Sequence, residues 1–311
     1  MLEITRGQRT RPVRLVIYGA EGVGKSTFAS QAGGCVFFDL ENGTDQMDVA
    51  RFPKADTWEG LLAMLGEVAR TPNICKTIVL DTADKAEIMC TDYILTKFKK
   101  SGIEEFGYGK GYTYLSEEYC RLLAALDAVI ASGINVIVTA HAKMRKFEQP
   151  DEMGAYDRWE MKLSKQVAPL LKEWCDALLF INFKTYVVTT ETNAKKAQGG
   201  KRVMYATHHP CWDAKNRHGL ADEMDLDFDK IRHIFGEGNK PQTLPEEVIS
   251  KIIRMLSEAE IEEADLQKLV AFKGHYTEST PIDHYSEEFV NRWLLPNWER
   301  IVTTIHHNNN N

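Results

Sequence analysis

Eight consecutive residues, Gly19-Ala20-Glu21-Gly22-Val23-Gly24-Lys25-Ser26, constrain this chain more than any other stretch. The spacing G-x-x-x-x-G-K-[ST] demands a particular local fold. Its glycines let successive backbone N–H groups turn inward around an anion, and the helix that follows adds its positive N-terminal dipole. The flanks meet that demand. Val13-Arg14-Leu15-Val16-Ile17-Tyr18 is a short apolar, β-branched run, and Ser26 to Gln31 carries helix formers ended by Ala-Gly-Gly. Strand, loop and helix in this order predict a cradle for a nucleotide triphosphate built from Gly19, Ala20, Glu21, Gly22, Val23, Gly24, Lys25, Ser26 and Thr27. Lys25 would reach the β and γ phosphates, and the Ser26 hydroxyl would ligate Mg²⁺. ATP with Mg²⁺ is the expected ligand.

Further apolar strand candidates follow at Cys35 to Asp39, Thr77 to Asp81, Asn135 to Ala140 and Ala177 to Asn182. Helix-patterned segments alternate with them, at Thr57 to Arg70, Ala83 to Lys99, Ser116 to Ala131 and Ser164 to Trp174. Such alternation predicts an α/β fold, a mostly parallel central sheet with helices on both faces. Lys184 to Thr190 and Lys201 to Thr207, joined by a polar Gly-Gly-bearing loop, add an antiparallel hairpin at the sheet edge. The expected division is a core over 1–240, an acidic helical C-terminal region over 241–305, and a low-complexity, disordered tail over 306–311. Within the C-terminal region, Pro245 to Ala259, Ile261 to Phe272 and Ser286 to Thr304 have helical spacing, the last interrupted near Pro296.

Composition narrows the setting. The 311 residues carry a net charge of −7, yet 222–311 alone holds 18 acidic and 9 basic side chains, so the remainder carries +2. An acidic C-terminal part behind a locally basic core suits a chain that meets DNA through one face. No run approaches the roughly 20 apolar residues of a membrane span, and the first residues lack a signal-peptide apolar region, so the expected location is the cytosol. The six cysteines stand at wide intervals with no C-x-x-C and read as reduced thiols. His208, His209, Cys211 and His218 form a zinc-like group without a paired second half.

The ends of the strands carry the remaining chemistry. Thr77-Ile78-Val79-Leu80 runs straight into Asp81, placed to hold Mg²⁺ through water. Thr82 stands where AAA+ proteins and many helicases place a catalytic Glu, so the carboxylate must come from elsewhere. Glu41, just past the strand Cys35 to Asp39, is placed to orient or deprotonate the attacking water. No Asn-Lys-x-Asp base-reading motif is present, and Asp81 lacks the Gly of Asp-x-x-Gly, which sets GTPases aside.

This arrangement resembles the RecA-like ATPases, in which an Asp-x-Glu ends the strand after the first helix and the next such strand ends in Asp-Ser or Asp-Thr. The resemblance covers about residues 12–222 and implies a γ-phosphate sensor at His141, at the end of Val136-Ile137-Val138-Thr139-Ala140. Lys215-Asn216-Arg217-His218-Gly219 is similar to the Lys-Asn-Arg-Phe-Gly motif of RadA and the Lys-x-Arg of DnaB-type helicases. There the Lys and Arg reach the neighbouring subunit's nucleotide, which implies that Lys215 and Arg217 act in trans within a homo-oligomeric ring or filament. His218 departs from the Phe of RadA. More narrowly, the chain resembles phage-encoded RecA-like ATPases of the Sak type, associated with single-strand annealing and recombination. The ending Gly274-His275-Tyr276 with Thr280-Pro281-Ile282 and Tyr285 is similar to proteins of that group.

The resemblance further implies single-stranded DNA as partner, held by two loops, with a single-strand binding protein as a further partner. Lys97 to Tyr114 interleaves Lys97, Lys99, Lys100 and Lys110 with Phe98, Phe106, Tyr108, Tyr112 and Tyr114. Cations track phosphates while rings stack bases. Lys143, Arg145, Lys146 and Phe147 open a long polar stretch to Trp159, predicted as a loop. Lys195, Lys196, Lys201 and Arg202 make a third basic group, and Arg6, Arg9, Arg11 and Arg14 are candidates for subunit contacts. Two rival functions share these features: a nucleotide-gated scaffold that never touches DNA, in the manner of KaiC, and a small-molecule kinase.

Overall fold

The computed structural model describes residues 11–71, 73–148, 154–189, 195–236, 244–259, 261–273, 275–276, 280–285 and 289–309. Among them, ten strands form one sheet: β1 (Arg14–Gly19), β2 (Cys35–Asp39), β3 (Ala50–Arg51), β4 (Thr77–Asp81), β5 (Asn135–Glu148), β6 (Ala155–Met161), β7 (Ala177–Thr189), β8 (Lys195–Tyr205), β9 (Lys215–Asn216) and β10 (Glu223–Asp225). The order is β10-β8-β7-β1-β5-β4-β2-β3. Every pair from β7 to β3 is parallel, while β8 and β10 add antiparallel strands at one edge. This is a mostly parallel α/β arrangement, with β5 inserted between the phosphate-loop strand β1 and the Asp81 strand β4.

Helices cover both faces, so the central strands are apolar at almost every position instead of alternating. Val16, Tyr18, Ile78, Leu80, Val136, Val138 and Phe180 pack toward α2 (Trp58–Arg70), α3 (Ala83–Phe98), α4 (Lys110–Ala131) and α5 (Val167–Trp174). Leu15, Ile17, Val79, Ile137 and Leu179 pack toward α1 (Lys25–Ala29), with Phe28, Phe228 and Phe235. Burying each such side chain contributes about 1.5–3 kcal/mol. Thr57 and Thr82 cap α2 and α3 by accepting from Gly60 N and Lys85 N.

Three expectations for this part of the chain are corrected. The stretch after His141 is no loop: β5 continues to Glu148 and pairs antiparallel with β6, from Ala142 opposite Met161 to Glu148 opposite Ala155. Charged residues fall on both of its alternating faces, so it carries no apolar period. Residues 99–109 hold a short 3-10 turn, Ile103–Phe106, and α4 starts at Lys110, earlier than Ser116. Here Phe98, Phe106 and Tyr114 pack on one another, with centroids 5.0–5.5 Å apart, and so tie the end of α3 to the start of α4. Finally, Gly199 and Gly200 lie inside β8, where the pairing with β7 shifts register between Lys184 and Thr185.

The chain divides into two compact units, Met1–Gly236 and Glu237–Asn311. The second has its own core, including Ile252, Leu256, Leu266, Leu269, Val270, Tyr285 and Leu294. Its helices are α6 (Glu246–Glu258), α7 (Glu263–Phe272) and α8 (Trp298–Asn309). The final helical segment, expected to be interrupted near Pro296, divides there into a π-helical turn, Val290–Leu294, and α8. Ile301 and Ile305 anchor α8 in that core, and the helix continues to Asn309, into the stretch whose composition predicts a disordered tail.

Candidate nucleotide site

The carboxyl ends of β1, β2 and β4 lie level with His141, where the parallel pairing of β5 stops, and Lys25, Ser26, Glu41, Asp81 and His141 collect there. Gly19 ends β1 opposite Ile181 of β7, where a Cβ would stand 2.2 Å from the Ile181 carbonyl oxygen, so the close approach requires glycine. Gly22 and Gly24 take φ values of 71° and 101°. Gly24 caps α1 without a side-chain hydrogen bond, so no side-chain acceptor closes the start of that helix. Lys25 is buried, with Nζ donating to the carbonyls of Gly19 (3.1 Å) and Ala20 (2.9 Å). Burial lowers its pKa, opposed by the charges of Asp81, Asp84, Glu41 and Glu21.

Asp81, at the end of β4, is buried and accepts two hydroxyls. Ser26 Oγ donates to Oδ2 at 2.6 Å, and Thr139 Oγ1, from the neighbouring β5, donates to Oδ1. The Asp81–Thr82 peptide is cis. Ser26 and Asp81 supply oxygen donors of the kind Mg²⁺ prefers, brought together from sequence positions 55 residues apart. They fit the ion that the phosphate loop implies and are the residues that would hold it.

Glu41 lies just past β2. Its Oε1 accepts from Thr82 Oγ1 at 2.8 Å, so the residue in the place of the adjacent catalytic Glu positions the carboxylate that replaces it. His141 stands at the level of Gly19, in the parallel pairing of β1 and β5, with Nδ1 3.9 Å from Glu41 Oε1. Sequence reasoning missed Asp84, in the first turn of α3. Its Oδ1 accepts from the His141 backbone N–H and its Oδ2 faces His141 Nδ1, both at 2.9 Å. Burial pushes the Asp84 carboxyl up, but the hydrogen bonds and charge of His141, with Thr82, outweigh it and hold the group below its ordinary value. Among the described residues, Glu41, Asp84 and His141 are the group of His, Cys and acidic side chains close enough to hold a metal ion; His208, His209, Cys211 and His218 do not converge into one. His209 instead stacks on Trp212, with ring centroids 4.1 Å apart.

A polar basin of about 630 Å³ opens beside Glu41, between the 54–56 segment and α3. Lys54, Asp56, Lys85 and Asp92 stand on its walls. It gives Glu41 access to water.

Arg202 belongs to the site rather than to a separate basic hairpin group. Paired opposite Phe183, it lies two residues before Met204, which packs on the α1 face, and its Nη1 contacts the Val23 carbonyl at 3.5 Å. A Cβ at Gly24 would come within 2.7 Å of the same nitrogen. Lys201 pairs with Asp225 at 2.6 Å; the side chains of Lys195 and Lys196 lie outside the described residues.

Lys215 and Arg217 sit elsewhere. Lys215 is in β9, paired with the start of β7, and its Nζ donates to the Lys172 and Glu173 carbonyls at the end of α5. Arg217 Nη1 is 3.5 Å from Asp176 Oδ1, an acid that Arg11 also engages, at 2.5 Å. Their segment is held by Tyr18, whose hydroxyl donates to the Asp213 carbonyl at 2.6 Å, and by Arg158 and Lys172, which pair with the Asp213 carboxylate. Arg14 pairs with Asp127 at 2.8 Å, whereas Arg6 and Arg9 lie outside the described residues.

The DNA candidates divide as well. Lys143 Nζ donates to the Leu163 carbonyl, Arg145 faces Glu160 at 3.6 Å, and the Tyr112 hydroxyl donates to Glu104 at 2.7 Å. Tyr108 is wholly exposed, and Lys97, Lys99, Lys110 and Lys146 are exposed, while Lys100 is half-buried. Lys97 also lies over the Tyr93 ring, 5.3 Å from its centroid. Among the described residues, no helix is long and apolar enough to cross a membrane.

Similar solved structures include the RadB recombinase, 16% identical, covering 65% of this chain and 84% of that one with a TM-score of 0.37. Another is a KaiC-like protein from the hyperthermophilic archaeon Pyrococcus horikoshii OT3, 12% identical, covering 63% and 79% of the two chains with a TM-score of 0.37. No curated protein matches the sequence. The family model described as an AAA domain, AAA_24, matches residues 11–218, the stretch that runs from β1 to β9 and carries every phosphate-site residue described above, and the chain belongs to that family of AAA domains.

Proposed function

We propose that this chain is a Mg²⁺-dependent ATPase that acts on single-stranded DNA in phage recombination, annealing or replication, as a Sak-type member of the RecA-like ATPases. The observation that carries the ATPase reading is the convergence of Lys25, Ser26, Asp81, Glu41 and His141 at the end of the parallel pairing of four adjacent strands. Binding falls to the loop amides and Lys25, and Mg²⁺ held by Ser26 and Asp81 would neutralise phosphate charge. Glu41, facing the polar basin, orients the attacking water and receives its proton, and His141 meets the terminal phosphate region. Lys215 and Arg217 complete the site of a neighbouring copy, where cations stabilise the charge that develops during transfer. Exposed Lys97, Lys99, Lys110 and Lys146, with half-buried Lys100, follow the DNA backbone, and Tyr108 is free to stack on a base. The place of action is the bacterial host cytosol, with a single-strand binding protein as a further partner.

The test is ATP hydrolysis by the purified protein with and without single-stranded DNA. Strong stimulation is expected. Turnover indifferent to DNA would favour the nucleotide-gated scaffold, and turnover only with a small phosphoacceptor would favour a kinase, whose acceptor would have to enter the basin beside Glu41.

A further inference from the structure

Asp84 lies beside the phosphate loop with His141 as its neighbour. It stands in the first turn of α3, where the helix dipole favours a negative charge. Each of its oxygens meets His141: the backbone N–H reaches Oδ1 and the ring Nδ1 meets Oδ2, each at 2.9 Å. An ionised carboxylate only accepts hydrogen bonds, so the proton between Oδ2 and the ring belongs to Nδ1. Two contacts from one carboxylate fix both the rotation of the imidazole and its distance from α3. The nitrogen left for other partners is Nε2. Glu41 Oε1, 3.9 Å from Nδ1, lies beyond hydrogen-bond reach of the ring and is held instead by Thr82.

We infer that Asp84 is a positioning residue that fixes the orientation and the Nδ1-protonated tautomer of His141, so that His141 meets the reacting groups through Nε2. In the neutral ring Nε2 accepts from the attacking water; in the protonated ring it donates to a phosphate oxygen. Either contact is lost if the tautomer inverts or the ring turns. The inference rests on the ATPase reading for the place of His141 beside the terminal phosphate.

The informative variant is Asp84→Asn. Asn keeps one oxygen for the His141 backbone N–H and turns an NH₂ donor toward the ring, which forces Nδ1 to accept and moves the proton to Nε2. The expected result is a fall in kcat on the order of 10²- to 10⁴-fold, with ADP affinity by fluorescence titration unchanged. Long-range ¹H–¹⁵N correlation spectra, with the His141 signals identified by their loss in His141→Gln, supply a readout that packing alone would not move. Wild type should show a protonated Nδ1, and Asp84→Asn a protonated Nε2. Wild-type turnover in folded Asp84→Asn, or a bare Nδ1 in neutral wild-type His141, would overturn the inference. The reading beneath it fails separately: if His141→Ala turns over ATP at the wild-type rate while the wild-type spectrum shows protonated Nδ1, the Asp84–His141 pairing stands and the placement of His141 at the phosphate falls.

Discussion

At the carboxyl end of β1, Lys25 is buried between two carbonyls of its own loop and within the field of four acids; near the amino end of β7, Arg217 keeps 57% of its side chain exposed and touches one acid it shares with Arg11. Both belong to motifs that would address the same phosphate group. The parallel register of β1 and β7 separates them, because Leu15 lies beside Ala177 and Gly19 beside Ile181. Four strand residues span about 13 Å. Lys215 is further restrained by the α5 carbonyls that its ammonium caps. On the proposed reading, one end of the sheet holds phosphate in cis, and the other presents a cation outward for a neighbouring copy.

The largest expected effect comes from breaking the buried end. Lys25→Ala should lower ATP turnover by at least about 10²–10³-fold, the scale of losing one cation or donor aimed at developing charge. Nucleotide-induced thermal stabilisation should shrink with it. Retention of both would remove the phosphate loop from the mechanism.

A smaller effect, and a sharper one for the comparison, is expected at the open end. Arg217→Ala should lower turnover by about 10²-fold while leaving nucleotide binding and the thermal midpoint close to wild type. Mixing the two inactive variants then separates cis from trans. A Lys25→Ala subunit still offers Arg217, and an Arg217→Ala subunit still offers Lys25, so mixed assemblies should regain turnover. A mixture that stays inactive in assembled protein would mean that Arg217 acts within its own chain, through Asp176.

These two ends were not equally legible in the amino-acid sequence. The phosphate loop is contiguous, and its glycines are required by local geometry, so a short window contains the information. Asp81, Glu41 and His141 are recognisable because apolar strands announce their ends. Asp84 is invisible in the same way, since its partner lies 57 residues on and nothing in the first turn of a helix marks an acid as more than a favourable N-terminal charge. Arg202 reads as one of several basic hairpin residues until the antiparallel register with β7 sets it beside Gly24. The β5–β6 arm reads as a loop because its strands carry charge where a half-buried strand would carry apolar residues, and pairs such as Lys146 with Asp157 are set by register alone.

The smallest effect concerns stability at the buried end. Asp84 is held below the ordinary carboxylate value, so the folded state binds its proton less readily than the unfolded chain. The sign follows from linkage: its contribution is fully present above the unfolded-state value, about 3.9, and is lost as pH falls through the lower folded value. Urea midpoints of wild type and Asp84→Asn should therefore differ most near neutral pH and approach each other on the acid side. The open end supplies the control, because the Arg217 contact with Asp176 is largely exposed on the arginine side and Arg217→Ala should shift the midpoint little across the same pH range. A gap between wild type and Asp84→Asn that stayed constant from neutral to acid pH would mean that Asp84 holds His141 by shape rather than by charge, and the two ends of the sheet would then differ in burial alone.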